Sequence, residues 1–381
     1  MKNEELRSAN SRRALLNSQF SILNSAALLG RAELPTDLDA ARRALAGRRV
    51  LVTGAGGSVG TNLAELLHSL EPEHLVLLDH HDHALFTLKR RLEQMASAGS
   101  PTNPATTWRL VLADVRDTVK LSRLLDEARP DVIFHLAAYK HVPFGEQFPE
   151  ETFAVNVVAT ARLLDLASAR GVERFVYPSS DKAVNPPSLY GATKRLCEIL
   201  VQRAAHDDRR GFAVARFVNI LGTHGSAIEI FAEQINSDQP LTVMDPSMAR
   251  YWISMREATW LLVQSGALAR PGAVLMLDAG DEVPVVAMVR RVEALLAPGT
   301  PQRQIHFTGT RPGERLREEL LSEYESFKPG PCPGIFQVWN RRREEHVATL
   351  ADHLGRLEQL ADTGDAARLK AATMEAARAL Q

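Results

Sequence analysis

The sequence is poor in cysteine, with only Cys197 and Cys332 among 381 residues. Their spacing suits neither a metal site nor a redox pair, and it excludes a disulfide-stapled scaffold. Cys197, within RLCEIL, reads as a core-facing helix position. Charge of one sign is also lacking: 45 Lys and Arg face 46 Asp and Glu, a net charge of −1. Without a global field no nucleic acid is expected as partner, and an anionic ligand must be gripped by local Arg and Lys. No apolar run approaches the roughly 18 residues that cross a bilayer, and the polar start does not resemble a signal peptide. These absences predict a cytoplasmic protein with no membrane partner. His80, His81 and His83 lie outside any HExxH or Cys/His pattern, so they read as a solvated loop and no metal is expected.

What remains is ordinary for a globular chain, 45% hydrophobic and 24% charged, and long enough for a large core or two modest domains. Residues 1–48 read as a helical lead-in without chemistry. Asn10–Leu29 is weakly amphipathic, and Asp37 is a candidate cap for a helix over Leu38–Leu45. The short β-rich run Arg48–Thr53 then meets GAGGSVG, residues 54–60, followed by helical spacing over Asn62–Leu70. A glycine loop in that context is a dinucleotide cradle. Gly54 allows the tight turn, Gly57 the approach to a pyrophosphate, and Gly60 close helix–strand packing. The helix N-terminus at Ser58 and Val59 favours the phosphates. Asp79 closes the next strand, His74–Leu78, nineteen residues after Gly60. A carboxylate there accepts from ribose hydroxyls and repels a 2′-phosphate, so NAD is expected, with NADP left open by Arg90 and Arg91.

A third strand, Trp108–Leu112, precedes Asp114 and Val115; Asp114 is either an adenine contact or a cap for a helix from Thr118. A fourth, Pro130–Leu136, ends at the small residues Ala137 and Ala138, where a cofactor can lie against the backbone. Helix Glu151–Ala169 contains Asn156, and the strand Arg174–Tyr177 delivers SSDKAVNPPSLYGATK, residues 179–194, to the carboxyl edge of the sheet. That stretch holds Ser180, Asp181, Lys182, Tyr190 and Lys194. Tyr190 and Lys194 are four apart on the predicted helix Ala192–Ala204, so they share a face, and an ammonium there favours the phenolate. The βαβα alternation predicts an α/β fold: a doubly wound parallel sheet of the Rossmann type, helices on both faces, over residues 49–210.

Beyond it the pattern loosens. Strands are expected at Phe212–Asn219, Pro240–Met244 and Val274–Asp278. Helices are expected at Ile228–Ile235, Arg256–Ala267, Val285–Leu296 (with Pro284 in its first turn) and Leu316–Ser322. Residues 211–336 read as a smaller substrate-binding α/β region and 337–381 as a C-terminal helical segment, split by Thr363–Asp365.

The Ser180, Tyr190, Lys194 constellation resembles short-chain dehydrogenase/reductases, and SDKAVNP narrows the likeness to nucleotide-sugar 4,6-dehydratases. From about Leu28 to Gln381 the chain is similar to the bacterial polysaccharide-biosynthesis dehydratases that act on UDP-N-acetylglucosamine. The segments LVTGAGGSVG, LLDHHDHALF, HLAAYKHVPFGEQFPEETFAVNV, SSDKAVNPPSLYGATKR, RFVNILGTHGS, DPSMARYWIS and TGTRPGERLREELL carry it, in family order. The resemblance implies an internal redox cycle. C4 of the sugar is oxidised by NAD(P)+, water is lost across C5–C6, and the hydride returns to C6. It implies Tyr190 as base for the 4-hydroxyl, Ser180 as its hydrogen-bond partner, Lys182 as C5 base if neutral, and Asp181 as acid for the 6-hydroxyl, roles that can exchange within a coupled pair. It places the UDP-sugar on Arg250 and Arg311 at the diphosphate, Glu314 at the ribose, and Lys140 and Asn219 along the pocket. A homo-oligomer is expected. Tyr190 stands where long family members carry Met, Val218 where Gly is usual, His224 where Arg is usual, and Glu229 where Pro is usual. An epimerase or reductase on the same scaffold, or an NAD-binding sensor without catalysis, are the competing readings.

Overall fold

A computed structural model describes residues 25–97 and 106–381. Most of the amphipathic stretch from Asn10 lies outside them; within them Ser25–Leu29 is helical. The next helix starts later than its sequence suggests, at Asp39, with Asp37 accepting the Asp39 N–H at 2.8 Å.

Apolar β-branched and leucine runs supply the sheet. Its first six strands are β1 (Arg49–Thr53), β2 (His74–Asp79), β3 (Thr107–Leu112), β4 (Val132–His135), β5 (Arg174–Ser180) and β6 (Gly211–Phe217). Among the described residues nine strands share this sheet, in the order Glu325–Pro329, Ile335–Asn340, Val274–Leu277, β6, β5, β4, β1, β2, β3. All pairings from Val274–Leu277 to β3 are parallel. The doubly wound sheet is therefore as expected, and near-continuous burial of β1, β4 and β6 is what helices on both faces require. The chain runs outward from β1 to β3 and returns across β1 to β4. A crevice opens at that switch point, beyond the carboxyl ends of β1 and β4.

The far edge departs from the sequence reading. Ile335–Asn340 pairs antiparallel with Val274–Leu277, Glu325–Pro329 pairs antiparallel with it, and this hairpin runs through residue 336. Leu316–Ser322 is not a helix. Its carbonyls have other partners: Arg250 donates to the Arg315 and Leu316 oxygens at 2.7 and 3.0 Å, and Arg216 to Leu320 at 3.3 Å. Those tertiary bonds take the acceptors that an i+4 ladder needs. Val285–Leu296 forms as predicted, but Pro284 stands just before it, as the N-cap.

The helical stretch Pro149–Ala169 is long and apolar enough to cross a membrane by length and composition, against the expectation of no such segment. Yet 61% of its apolar window is buried in the fold, as a core helix would be. It is interrupted by a π turn at Ala154–Val158. The two C-terminal helices, Arg343–Asp362 and Ala366–Ala379, form as predicted and pack on helix Leu189–Asp208.

Under that helix lies a buried ion cluster. Arg216 on β6 meets Glu198 at 2.8 Å and Glu325 at 3.0 Å, while Arg195 meets Glu198 at 3.1 Å. Burial opposes ionisation of Glu325, but the guanidinium of Arg216, helped by Arg195, outweighs it and holds the carboxyl down to about 2. Its stabilising contribution is therefore full above the ordinary value of 4.5 and is lost as pH falls towards 2. Arg216→Met leaves two buried carboxylates sharing Arg195 alone and is expected to cost about 3–5 kcal/mol in urea unfolding at neutral pH. A change within 1 kcal/mol, roughly the ceiling for exposed pairs, would show the cluster to be energetically idle.

Candidate active site

The cradle follows from glycine. Gly54, leaving β1, has φ +69°, and a Cβ there would lie 2.6 Å from the Ala137 nitrogen. A Cβ on Gly60 would lie 2.1 Å from the Gly54 oxygen. Strand, loop and helix thus approach more closely than any side chain permits. Gly57 is the N-cap of helix Ser58–Ser69 and provides no side-chain cap, which leaves first-turn N–H groups for an anion. Gly54→Ala should therefore cost about 1–3 kcal/mol in stability and weaken NAD binding at least about tenfold by calorimetry. Undiminished affinity in the variant would remove this loop from the cofactor site.

Asp79, buried at the end of β2, accepts from the N–H groups of Gly56 and His81, each at 2.9 Å. With Gly54, Gly57, Ala113, Asp114, Val115, Ala137 and Ala138 it lines a cavity of about 300 Å³. Asp114 is bound by Arg116 at 2.7 Å, which holds its carboxyl below the usual range; Asp117, not Asp114, caps the helix from Thr118. A second cavity of about 470 Å³ is lined by Ser58, Val59, Gly60, Lys140, Ser180, Lys182, Tyr190, Lys194 and Asn219. Gly54, Gly57, Leu136, Ala138 and Tyr139 belong to both, so the two form one trench. A cradle closed to any Cβ, an uncapped helix N-terminus and a ribose-height carboxylate together fit a dinucleotide.

One organiser escaped the sequence reading. Asn156, in the π turn, accepts from the Tyr139 N–H at 2.8 Å and donates to the Tyr139 oxygen at 3.0 Å and Thr193 Oγ1 at 3.1 Å. It ties the loop after β4 to the helix that carries Tyr190 and Lys194. A polar amide inside the apolar run AVNVV was the available signal.

β5 ends at Ser180, a turn covers Asp181–Ala183, and Ser188 caps helix Leu189–Asp208. Ser180 donates to Asp181 Oδ1 at 2.8 Å, and Lys182 Nζ lies 3.1 Å from the same oxygen. Asp181 Oδ2 and Ser179 Oγ are buried without a partner. Lys194 donates to the Pro178 oxygen at 2.8 Å, and its Nζ is 6.0 Å from the Tyr190 ring centre. Burial lowers the Lys194 ammonium to about 8. Tyr190 is shifted the other way from expectation: burial raises it, and the offsetting groups are Lys182 and the Ser180 hydroxyl, not Lys194. Lys182 also departs from the neutral amine expected of a base. Burial favours its neutral form, but the carboxylates of Asp181 and Glu318 outweigh that and raise it above the ordinary lysine value.

On the substrate side, Lys140 Nζ donates to the His224 oxygen at 2.7 Å and Ser58 Oγ accepts the His224 N–H at 2.9 Å, so the 221–226 loop bridges the trench. Asn219 donates to the Tyr251 oxygen at 3.1 Å and faces the second cavity. Arg250 is buried, 3.4 Å from both Glu314 and Glu318. Glu318 was not singled out by sequence reasoning. Arg311 stands apart, exposed on the turn beyond Thr308. Among the described residues no group of three His, Cys, Asp or Glu is arranged to hold a metal.

The profile of the polysaccharide biosynthesis protein family matches residues 50–340. The chain belongs to that family. It is 37% identical to the probable polysaccharide biosynthesis protein EpsC of Bacillus subtilis over 78% of its own length and 49% of EpsC, so it spans about half of that relative. It is 29% identical to a UDP-N-acetylglucosamine 4,6-dehydratase (inverting) of Campylobacter jejuni, over 73% of this chain and 79% of that one. UDP-glucose 4-epimerases of Rickettsia match as well. The fold is that of DesIV, a dTDP-glucose 4,6-dehydratase of Streptomyces venezuelae solved with NAD and TYD bound (TM-score 0.60, 24% identity, 71% of this chain and 88% of that one). This family member is thus related to nucleotide-sugar dehydratases and epimerases.

Proposed function

We propose that the chain is an NAD-dependent 4,6-dehydratase of a UDP-N-acetylhexosamine, with UDP-N-acetylglucosamine as first candidate. The observation that carries the reading is the Asp181–Lys182 pair, 3.1 Å apart, with Lys182 lining the same trench as Ser180, Tyr190 and Lys194 and Asp181 buried directly behind it. Epimerisation or simple reduction needs Tyr190 and Lys194 alone; water loss needs a base at C5 and an acid at O6 as well.

Residues 49–210 hold the cofactor, through Gly54, Gly57, Ser58, Val59, Gly60, Asp79, Asp114, Val115, Ala137, Ala138 and Lys194. When bound, NAD accepts a hydride from C4 and later returns one to C6. Tyr190 takes the proton of the 4-hydroxyl, which Ser180 orients. For the elimination, the proton shared between Lys182 Nζ and Asp181 Oδ1 moves to Asp181, giving an amine and a carboxylic acid with no change in net charge. Lys182 then removes the C5 proton, Asp181 protonates the departing 6-hydroxyl, and water leaves as C5 and C6 become doubly bonded. When the hydride is returned to C6, Lys182 gives its proton back to C5 and recovers one from Tyr190. Residues 211–336, with Asn219, Arg250 and Glu314, face the nucleotide sugar, and Lys140 closes on it from the core; Arg311 joins them by movement of its exposed turn. A cytoplasmic homo-oligomer belongs to the same proposal.

The test is product mass and ring NMR after incubating the protein with UDP-N-acetylglucosamine and catalytic NAD+. Loss of one water without accumulation of reduced cofactor is expected. An unchanged mass with an inverted ring centre would make it an epimerase, and NAD binding without turnover of any UDP-hexose would favour the sensor.

A further inference from the structure

Residues 316–322 were expected to form a helix and do not. Held in an irregular path by Arg250 and Arg216, this segment turns the side chain of Glu318, 2% exposed, onto Lys182 from behind the wall of the catalytic trench. One oxygen, Oε1, lies 3.1 Å from Lys182 Nζ and 3.4 Å from Arg250 Nε. Arg250 in turn reaches Glu314 at 3.4 Å. The charges, buried or partly buried, alternate along the line Asp181, Lys182, Glu318, Arg250, Glu314.

We propose that Glu318 is a positioning residue of this active site, fixing the charge on Lys182 from the nucleotide-binding side of the cleft. The inference rests on the reading of Asp181 and Lys182 as the elimination pair. Every element packed around Lys182 presents a titratable or charged group: Asp181 from its own turn, Tyr190 from the catalytic helix, Arg250 from strand Ala249–Arg250, and Glu318 from the 314–319 segment. Two carboxylates face one guanidinium, so the ammonium is the favoured form. Without Glu318 the balance would be one carboxylate against one guanidinium, with burial unopposed. Because Arg250 shares the same oxygen, an anion that engages Arg250 changes the charge felt by Lys182. Glu318 therefore couples the grip on the nucleotide to the proton of the C5 base.

The direct test is competitive acetylation of amines with acetic anhydride across pH, read by mass spectrometry on the peptide containing Lys182, in the full chain without substrate. Glu318→Gln should lower the pH at which Lys182 becomes reactive by at least about one unit. Glu318→Asp, which keeps the charge at shorter reach, should lower it less, and carries the test if Glu318→Gln fails to fold. Glu323→Gln, an exposed charge on the same segment, should leave it unchanged. An unaltered Lys182 titration in the folded Glu318 variants overturns the proposal, whatever the enzyme's substrate. Absence of water loss in the unmodified protein would instead remove the dehydratase reading and leave the labelling result standing.

Discussion

Replacing Tyr190 by Phe is expected to lower turnover of a UDP-N-acetylhexosamine by about 10²–10⁴-fold, with little effect on NAD affinity or thermal stability. The phenol is buried at the trench, between the Ser180 hydroxyl and Lys182, and its ring packs in the first turn of the catalytic helix. Phe keeps the ring and removes only the oxygen that would receive the 4-hydroxyl proton. Burial raises this phenol, and so a second consequence follows. Since the reactive form is the phenolate, activity should climb with pH through the neutral range and beyond, until another group limits it. Steady-state rates from pH 6 to 10 check both points. A Phe variant with more than a tenth of the original turnover would take Tyr190 out of the chemistry.

The second large effect separates the two halves of the reaction. Asp181→Asn and Lys182→Met should each reduce water loss by about 10²–10⁴-fold while leaving oxidation at C4 in place. Reduced cofactor would then accumulate with the substrate, where the unmodified protein shows none at steady state. Lys182→Met should also stop exchange of the C5 hydrogen with deuterated solvent, since no amine remains to remove it. Asp181→Asn should preserve that exchange at pH high enough for Lys182 to give its proton to solvent, because the amine itself remains. If Lys182→Met exchanges normally and Asp181→Asn does not, the two residues act in the reverse sense. If neither variant loses dehydration, the pair is a structural ion pair and the proposed reaction fails.

Much of the cofactor half was legible in local sequence, because each of its signals is short-range. Glycine at 54, with its positive φ, and at 60, where a Cβ would strike the Gly54 oxygen, is a backbone requirement that no distant contact can relax, and the strand runs around it are too apolar to face water. The strand before SSDKAVNP fixed where Ser180 and Asp181 emerge. Legibility failed where long-range partners set the conformation. Leu316–Ser322 has helical spacing, yet its carbonyls serve Arg250 and Arg216, which lie about 70 to 100 residues earlier in the chain. Ile335–Asn340 reads as neither alternating nor continuous, and becomes a strand because Val274–Leu277 offers it an open edge. Asp114 reads as a candidate cap for the helix from Thr118, yet Asp117 is the residue that meets a helix N–H, because that depends on where the turn closes.

The sequence by itself determined a parallel α/β sheet with a dinucleotide cradle at the end of its first strand, and a Ser, Asp, Lys, Tyr, Lys set at the end of its fifth. Backbone sterics, burial of apolar runs and helical spacing act over a few residues, and are written there. Tertiary structure alone decided the protonation environment of that set. Lys182 carries a charge-favouring second carboxylate from 136 positions along the chain, Tyr190 finds its offsetting cation in Lys182 and not in the neighbouring Lys194, and Arg250 is already engaged by Glu314 and Glu318. Electrostatic energy depends on distance in space and on exclusion of water, and neither is a property of position along the chain.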